Sequence, residues 1–460
     1  MSVSRLNVLP LLFVGASVCF APTGCGDGFQ DIERDEDSGV TTSDGGDSNV
    51  PGNLDAGEDA ATSSKFGIST SVSSIYLDRG EQNVALQVSI TRAPSFTTPV
   101  TISVNGLPSA VHVSALTLAD GDTSGTLFFG ADPTAILGGA TISVLGVAGD
   151  HTARTSLALY IAGQMDFDTD GSFIVPQLET PTLDFYLWGA GGGGGGTNDK
   201  RGATAAVQGG NGGAGGAAVG RVAVTPGEQL TIRVGARGNV VAGPIAGSGG
   251  GFTSVMRGET PLLMAGGGGG GGHGFGYDDG SSAATGDGGD GGAGGGTAGK
   301  TGTFTGGQGG SANAGGAAGN ADVKGKAGES FLGGYGAGAS ATNGTIGGLP
   351  GGGGGYFGGG GGGGYFGGGG GGHYSGGSYN RHGTGGGGGS GYAESSVLPL
   401  NEGALLIAGA SQTPPLTDSP YYVTGVGVGG TQGSCTGSPC VPVLPTPGGN
   451  GRVVVVLAKP

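Results

Sequence analysis

The sequence predicts an all-β protein: a Greek-key sandwich, then a β frame that carries a long, ordered glycine insert, behind a disordered N-terminal tether. Three observations carry this. Apolar residues alternate with polar ones over Val84, Leu86, Val88 and Ile90, over Val100, Ile102 and Val104, and over Leu157, Leu159 and Ile161, the period of two of half-buried strands. Glycine supplies 119 of 460 residues, 87 of them between Gly189 and Ser395, in a chain type where about 7% is usual. Within that stretch the other residues recur every third position, as at Asn211, Ala214 and Ala217. A net charge of −16 disfavours a nucleic-acid partner. The absence of Gly-X-Y triplets with proline excludes collagen.

Residues 1–24 read as a secretory signal. Arg5 is the only charge before Asp27, and an apolar run follows from Val8 to Phe20, too short for a membrane-spanning helix of about 20 residues. Thr23-Gly24-Cys25 resembles the end of a bacterial lipobox, with Pro22 where that family usually has Leu. The resemblance implies lipidation of Cys25 and a membrane partner reached through an N-terminal lipid, most simply the outer membrane. The other reading is that Cys25 merely follows a soluble-export cleavage site, for example after Ala21.

Residues 25–65 form the tether. Eleven acids between Asp27 and Asp59 stand against Arg34 and Lys65, a net −9. Such a segment buries too little apolar surface to offset its ordering entropy, and like charges extend it.

Residues 66–163 carry the alternating strands. Further strands are expected at Ser69–Leu77, Val111–Val113, Thr126–Gly130 and Thr141–Leu145. Turns fall at Asp78-Arg79-Gly80, Gly106-Leu107-Pro108, Asp120-Gly121-Asp122 and Gly149-Asp150. About seven strands at this spacing argue a Greek-key sandwich. The Gly-Leu-Pro turn before Val111-His112-Val113 resembles bacterial immunoglobulin-like modules, usually spacers. His112 alternates outward and is expected to face solvent.

Residues 164–460 form the glycine-rich domain. Leu183 to Gly191 reads Leu-Asp-Phe-Tyr-Leu-Trp-Gly-Ala-Gly. Later come Thr225-Pro226-Gly227 between two strands and the closing Gly451-Arg452-Val453-Val454. These motifs, in this order, resemble a family of bacterial and phage glycine-rich domains. More loosely they resemble the glycine-rich region of anaplastic lymphoma kinase receptors and phage adhesin tips. The resemblance implies a jelly-roll-like β frame with an inserted bundle of polyglycine II helices.

Physical chemistry supports an ordered insert. Glycine loses the most backbone entropy on folding, so a glycine tract stays flexible unless its amides find partners. A three-residue-per-turn helix points its N–H and C=O groups outward, and without Cβ atoms neighbouring axes approach closely enough to pair. The period of three places Asp287, Asp290 and Ala293, and Gln308, Ser311, Ala314 and Ala317, on outward faces. The pure runs 266–272, 358–364, 367–372 and 385–389 are expected inside. Tyr356-Phe357, Tyr365-Phe366 and His373-Tyr374 place Tyr every nine residues. They either line one edge of a long helix or mark the turn after each short one. They staple the bundle ends or, with Asn380, Arg381 and His382, form a sugar- or protein-binding surface.

Motifs that resemble catalytic or metal sites lack their context. Gly294 to Thr301 satisfies the P-loop pattern, but no buried strand precedes it and no helix pattern follows. No nucleotide partner and no cofactor is therefore expected. Asp166, Asp168 and Asp170 copy half a calcium loop, yet position twelve is Gln177. Cys435 and Cys440 are expected to form a small disulfide ring. No acid–base pair or nucleophile stands out, so the expected function is non-enzymatic adhesion or recognition at a bacterial surface, with glycans or surface proteins as partners. The alternatives are a structural envelope component without a specific ligand and a secreted hydrolase with an unrecognised site.

Overall fold

The computed structural model describes residues 65–197, 207–240, 245–275, 287–338, 351–374, 382–400, 403–436 and 441–459. The signal, Cys25 and the tether lie outside the described residues. Among those described there is no α-helix, and the fold is all-β. Residues 62–460 form one compact unit.

The sandwich contains β1 (Phe66–Thr70), β2 (Ser74–Asp78), β3 (Val84–Arg92), β4 (Val100–Asn105), β5 (Val111–Val113), β6 (Leu116–Leu118), β7 (Ser124–Ala131), β8 (Gly138–Ala148) and β9 (His151–Phe167). One sheet runs β1-β3-β7-β5. The other runs β9-β8-β4-β6, with β2 parallel to β9. This order is compatible with an immunoglobulin-like sandwich, whose strands divide the same way. Leu86, Val88, Leu127 and Phe129 meet Val100, Ile142, Leu157 and Leu159 in a fully buried core. His112 is exposed, as its phase requires, and its Nε2 lies 2.6 Å from Gln82 Oε1.

The frame contains β10 (Gly171–Ile174), β11 (Thr182–Trp188), β12 (Val207–Gln208), β13 (Ala217–Ala223), β14 (Gln229–Arg233), β15 (Thr253–Arg257), β16 (Thr260–Ala265), β17 (Tyr392–Ala393), β18 (Leu406–Ile407), β19 (Ser434–Thr436), β20 (Val441–Val443) and β21 (Arg452–Leu457). The sheet β10-β14-β15-β16-β17 packs against β18-β13-β11-β21. Phe173, Phe185, Leu230, Ile232, Leu263 and Val455 fill the layer between them. On the other face of β11 and β21, Tyr186, Trp188 and Val454 are covered by Leu416, Tyr421 and Tyr422. The Trp188 indole N–H donates to Pro415 O at 2.9 Å.

The expected boundary at 163/164 falls inside β9, so the sandwich and the frame are not separate modules. The first part of β9 pairs with β8 through Ile161, and its end pairs with β21 from Gly163↔Leu457 to Phe167↔Val453. Gly163 changes partners at φ +147°, a backbone that side chains rarely adopt, and a Cβ there would meet Leu137 at 3.1 Å. One hydrophobic core consequently runs through both parts.

The glycine runs continue the frame strands. Trp188 leads directly into 189–196 and Ala265 into 266–272, while 446–451 leads into β21. Each run donates in rotation to three neighbours. Gly189, Gly192 and Gly195 bond the carbonyls of Gly216, Gly213 and Gly210. Ala190, Gly193 and Gly196 bond those of Gly251, Ser248 and Ile245, and Gly191 and Gly194 those of Gly449 and Thr446, all at 2.8–3.0 Å. That rotation is the signature of three residues per turn.

The 266–272 run shows the complete lattice. It donates to the runs at 360–363, 190–193 and 289–292, and accepts from those at 213–216, 386–389 and 247–250. Every glycine in the four pure runs is buried. Asn211, Gln308 and Ser311 are partly or fully exposed, as are Asp287 and Asp290. Ala214 and Ala293 are buried instead, because the segments carrying Ser411 and Lys300 hydrogen-bond across them.

Candidate functional site: the distal end of the glycine bundle

Successive runs travel in opposite directions, and this decides where the aromatic residues go. The 358–364 run carries the chain from Phe357 to Tyr365, and 367–372 returns it to His373. The nine-residue spacing therefore marks turns, not one helix edge. Tyr365 and Phe366 lie at the frame end, where Tyr365 stacks on Tyr392 with ring centres 4.2 Å apart and meets Phe331 edge-on at 5.9 Å. Tyr356, Phe357 and Tyr374 lie at the distal end, about 20 Å away at 3.1 Å per residue. The five aromatics singled out in the sequence thus form two groups, not one surface.

The distal group is larger than its sequence signal. Phe357 stacks on His373 at 3.9 Å and meets His273 at 5.4 Å. His273 also meets Phe275 and Tyr356. Beside them His382 meets Tyr374 at 5.1 Å and Phe304 at 5.6 Å. Tyr374 Oη lies 2.5 Å from Thr305 Oγ1 and 3.2 Å from Asn320 O. Phe304 and Thr305 turn at positive φ, 55° and 56°, which carries the ring of Phe304 outward at the turn. Tyr356 and Phe304 are about half exposed, at 48% and 53%.

His273 is the buried polar member. It is fully buried, and both ring nitrogens lack a hydrogen-bond partner among the described residues. Burial, with a smaller contribution from nearby His373, pushes its pKa down to about 4. Burial also lowers His382, partly offset by Asp287. Burial thus disfavours the charged form of both His273 and His382.

The other sequence candidates are engaged elsewhere. Arg452 is buried and bonds Asp166 Oδ1 through Nη2 at 2.9 Å and Asp168 Oδ1 through Nη1 at 2.6 Å. Asp170 accepts the Val234 N–H at 2.7 Å. The calcium half-motif is thus a set of acceptors for a distant arginine and a backbone amide, and no metal-ligand group occurs among the described residues. In the P-loop pattern, four of the eight backbone amides are already donating. Gly294 bonds Ala214 O, Gly295 bonds Gly389 O, Gly299 bonds Gly310 O and Lys300 bonds Ala293 O. Cys435 is buried and disulfide-bonded; Cys440 lies outside the described residues.

No protein-family model and no curated protein sequence matches the chain.

Proposed function

We propose that the protein is an exported, non-enzymatic surface protein, anchored through a lipid on Cys25, that uses the distal end of its glycine bundle for adhesion or recognition. One observation carries this reading. Half-exposed Tyr356 and Phe304 are held by neighbouring rings at the end of a hydrogen-bonded lattice, opposite the frame. Rigid aromatic anchors bind with little ordering cost.

Binding of the full chain to a glycan array and to whole cells tests the reading. Tyr356→Ala with Phe304→Ala should lower binding about tenfold or more, as loss of an interface anchor does. Tyr335→Ala, also exposed but within the 333–337 run, should not. Equal binding by both variants, or none by the parent protein, overturns it in favour of the structural envelope role. For the anchor, Cys25→Ser should abolish incorporation of labelled palmitate.

A further inference from the structure

We propose that a cleft on the flank of the bundle binds a neutral polyhydroxylated ligand, a sugar unit or the end of a sugar chain. It is a separate site from the distal rings and does not depend on their role. The cleft has a volume of about 230 Å³ and lies between the 211–212 and 290–293 runs below and residues 300–303 and 411–412 above. It is smaller than drug-sized pockets of roughly 300–1,000 Å³, which suits one ring or chain end.

Its chemistry selects the ligand class. Besides glycines and Ala293 it is lined by polar residues, Asn211, Asp290, Lys300, Thr301 and Gln412 among them, and by no aromatic or large aliphatic group. One Asp and one Lys sum to zero charge. The lining thus lacks the basic cluster that an anion needs and the carboxylate cluster that a cation needs. A sugar hydroxyl is both donor and acceptor, and the cleft offers both. Among the described residues, the second carboxylate oxygen of Asp290, the Asn211 NH2, the Thr301 hydroxyl and the Lys300 ammonium have no hydrogen-bond or ion-pair partner. The P-loop pattern that carries Lys300 and Thr301 thereby supplies polar side chains to a cleft while four of its amides serve the lattice.

The unused groups are held in place by bonds on their other atoms. Asn211 Oδ1 accepts the Gln432 N–H at 3.0 Å, and Asp290 Oδ1 accepts the Asn211 N–H at 2.6 Å. The Asp290 N–H donates to Thr303 Oγ1 at 2.6 Å. Gln412 Nε2 bonds the carbonyls of Gly429 and Gly430, leaving its amide oxygen for a ligand. Little ordering remains to be done on binding.

The test is saturation-transfer NMR on the full chain with glucose, galactose, mannose and N-acetylglucosamine, alongside glucuronate and inorganic phosphate. At least one neutral sugar should bind saturably. Thr301→Val, which removes no bond within the protein, should weaken it about fivefold, the worth of one hydrogen bond. Asp290→Asn, which keeps the acceptor for Asn211, should do the same, and Gln308→Ala, exposed and outside the cleft lining, should leave it unchanged. The proposal fails if no neutral sugar saturates, if Thr301→Val and Asp290→Asn bind like the parent, or if Gln308→Ala abolishes binding. It also fails if glucuronate or phosphate binds more tightly than every neutral sugar.

Discussion

The Arg452 guanidinium reaches a carboxylate 284 residues upstream, with Nη1 2.6 Å from Asp168 Oδ1. Arg452 opens β21 opposite Trp188, where the glycine bundle meets the frame. The pair therefore ties the last strand of the chain to the end of β9. Its partners Asp166 and Asp168 are 37% and 68% exposed, so removing the arginine would not strand a buried charge.

Arg452→Ala should accordingly cost roughly 1–3 kcal/mol, the range for lost charge-assisted bonds. Arg452→Lys should recover only part, since one ammonium cannot span both carboxylates as the fork does. Calcium is the complementary check. Millimolar Ca²⁺ or chelator should leave the melting temperature unchanged, because Arg452 already occupies Asp166 and Asp168. A calcium-dependent rise would show the carboxylates serving a metal instead.

Gly269 lies in the middle of the 266–272 run, and a Cβ there would sit 2.2 Å from Gly386 O. That contact is with backbone, which cannot rotate away. Gly269→Ala should therefore force two runs apart and break bonds on both, costing upward of about 3 kcal/mol, at the high end for single substitutions. Gln308→Ala, on an outward face, should stay within about 0.5 kcal/mol. Chemical denaturation with amide exchange distinguishes the two. Equal effects would mean that the lattice does not bear on stability.

The inner runs were legible because a backbone lattice announces itself by what it lacks. Where neighbours surround a run only glycine or a small side chain such as that of Ala214 fits, while Asn211, Asp290 and Gln308 keep to outward faces. The sandwich was legible from its period of two. The continuity of β9 was not, because a strand that changes partners at Gly163 looks locally like any other. Nor was the Arg452–Asp168 pair, which no short-range pattern encodes. The division of the tyrosines between two ends follows from run direction, and equal spacing carries no direction. The distal group also escaped notice because His273, Phe275 and Phe304 come from runs far apart in sequence.

Tyr356 and Tyr365 should consequently behave differently. Tyr365 stacks on Tyr392 against the frame, and an aromatic pair contributes about 0.5–1.5 kcal/mol beyond its buried area. Tyr365→Ala should lower the melting temperature while sparing any distal binding. Tyr356→Ala, at the exposed end, should lower binding with little thermal effect. Thermal melts and binding measured on the same samples would reveal whether the two ends are interchangeable.

His273 should make the distal end sensitive to acid. Its folded pKa of about 4 lies below the ordinary value of 6.5, so between those values the unfolded state binds more protons. The stability this difference represents is fully present above pH 6.5. It is lost as pH falls toward 4, up to roughly 3 kcal/mol at about 1.4 kcal/mol per pKa unit. His382, lowered by burial, acts in the same direction. The range from pH 6.5 to 5 is where the His273 difference first acts. Protection of the Gly274 and Gly383 amides, which bond Gly196 O and His273 O, should fall through that range. His273→Phe, which keeps a ring among Phe275, Tyr356 and Phe357, should flatten the dependence. A wild-type profile unchanged from pH 7 to 5 would mean that protonated His273 is accommodated, and the burial argument would fail with it.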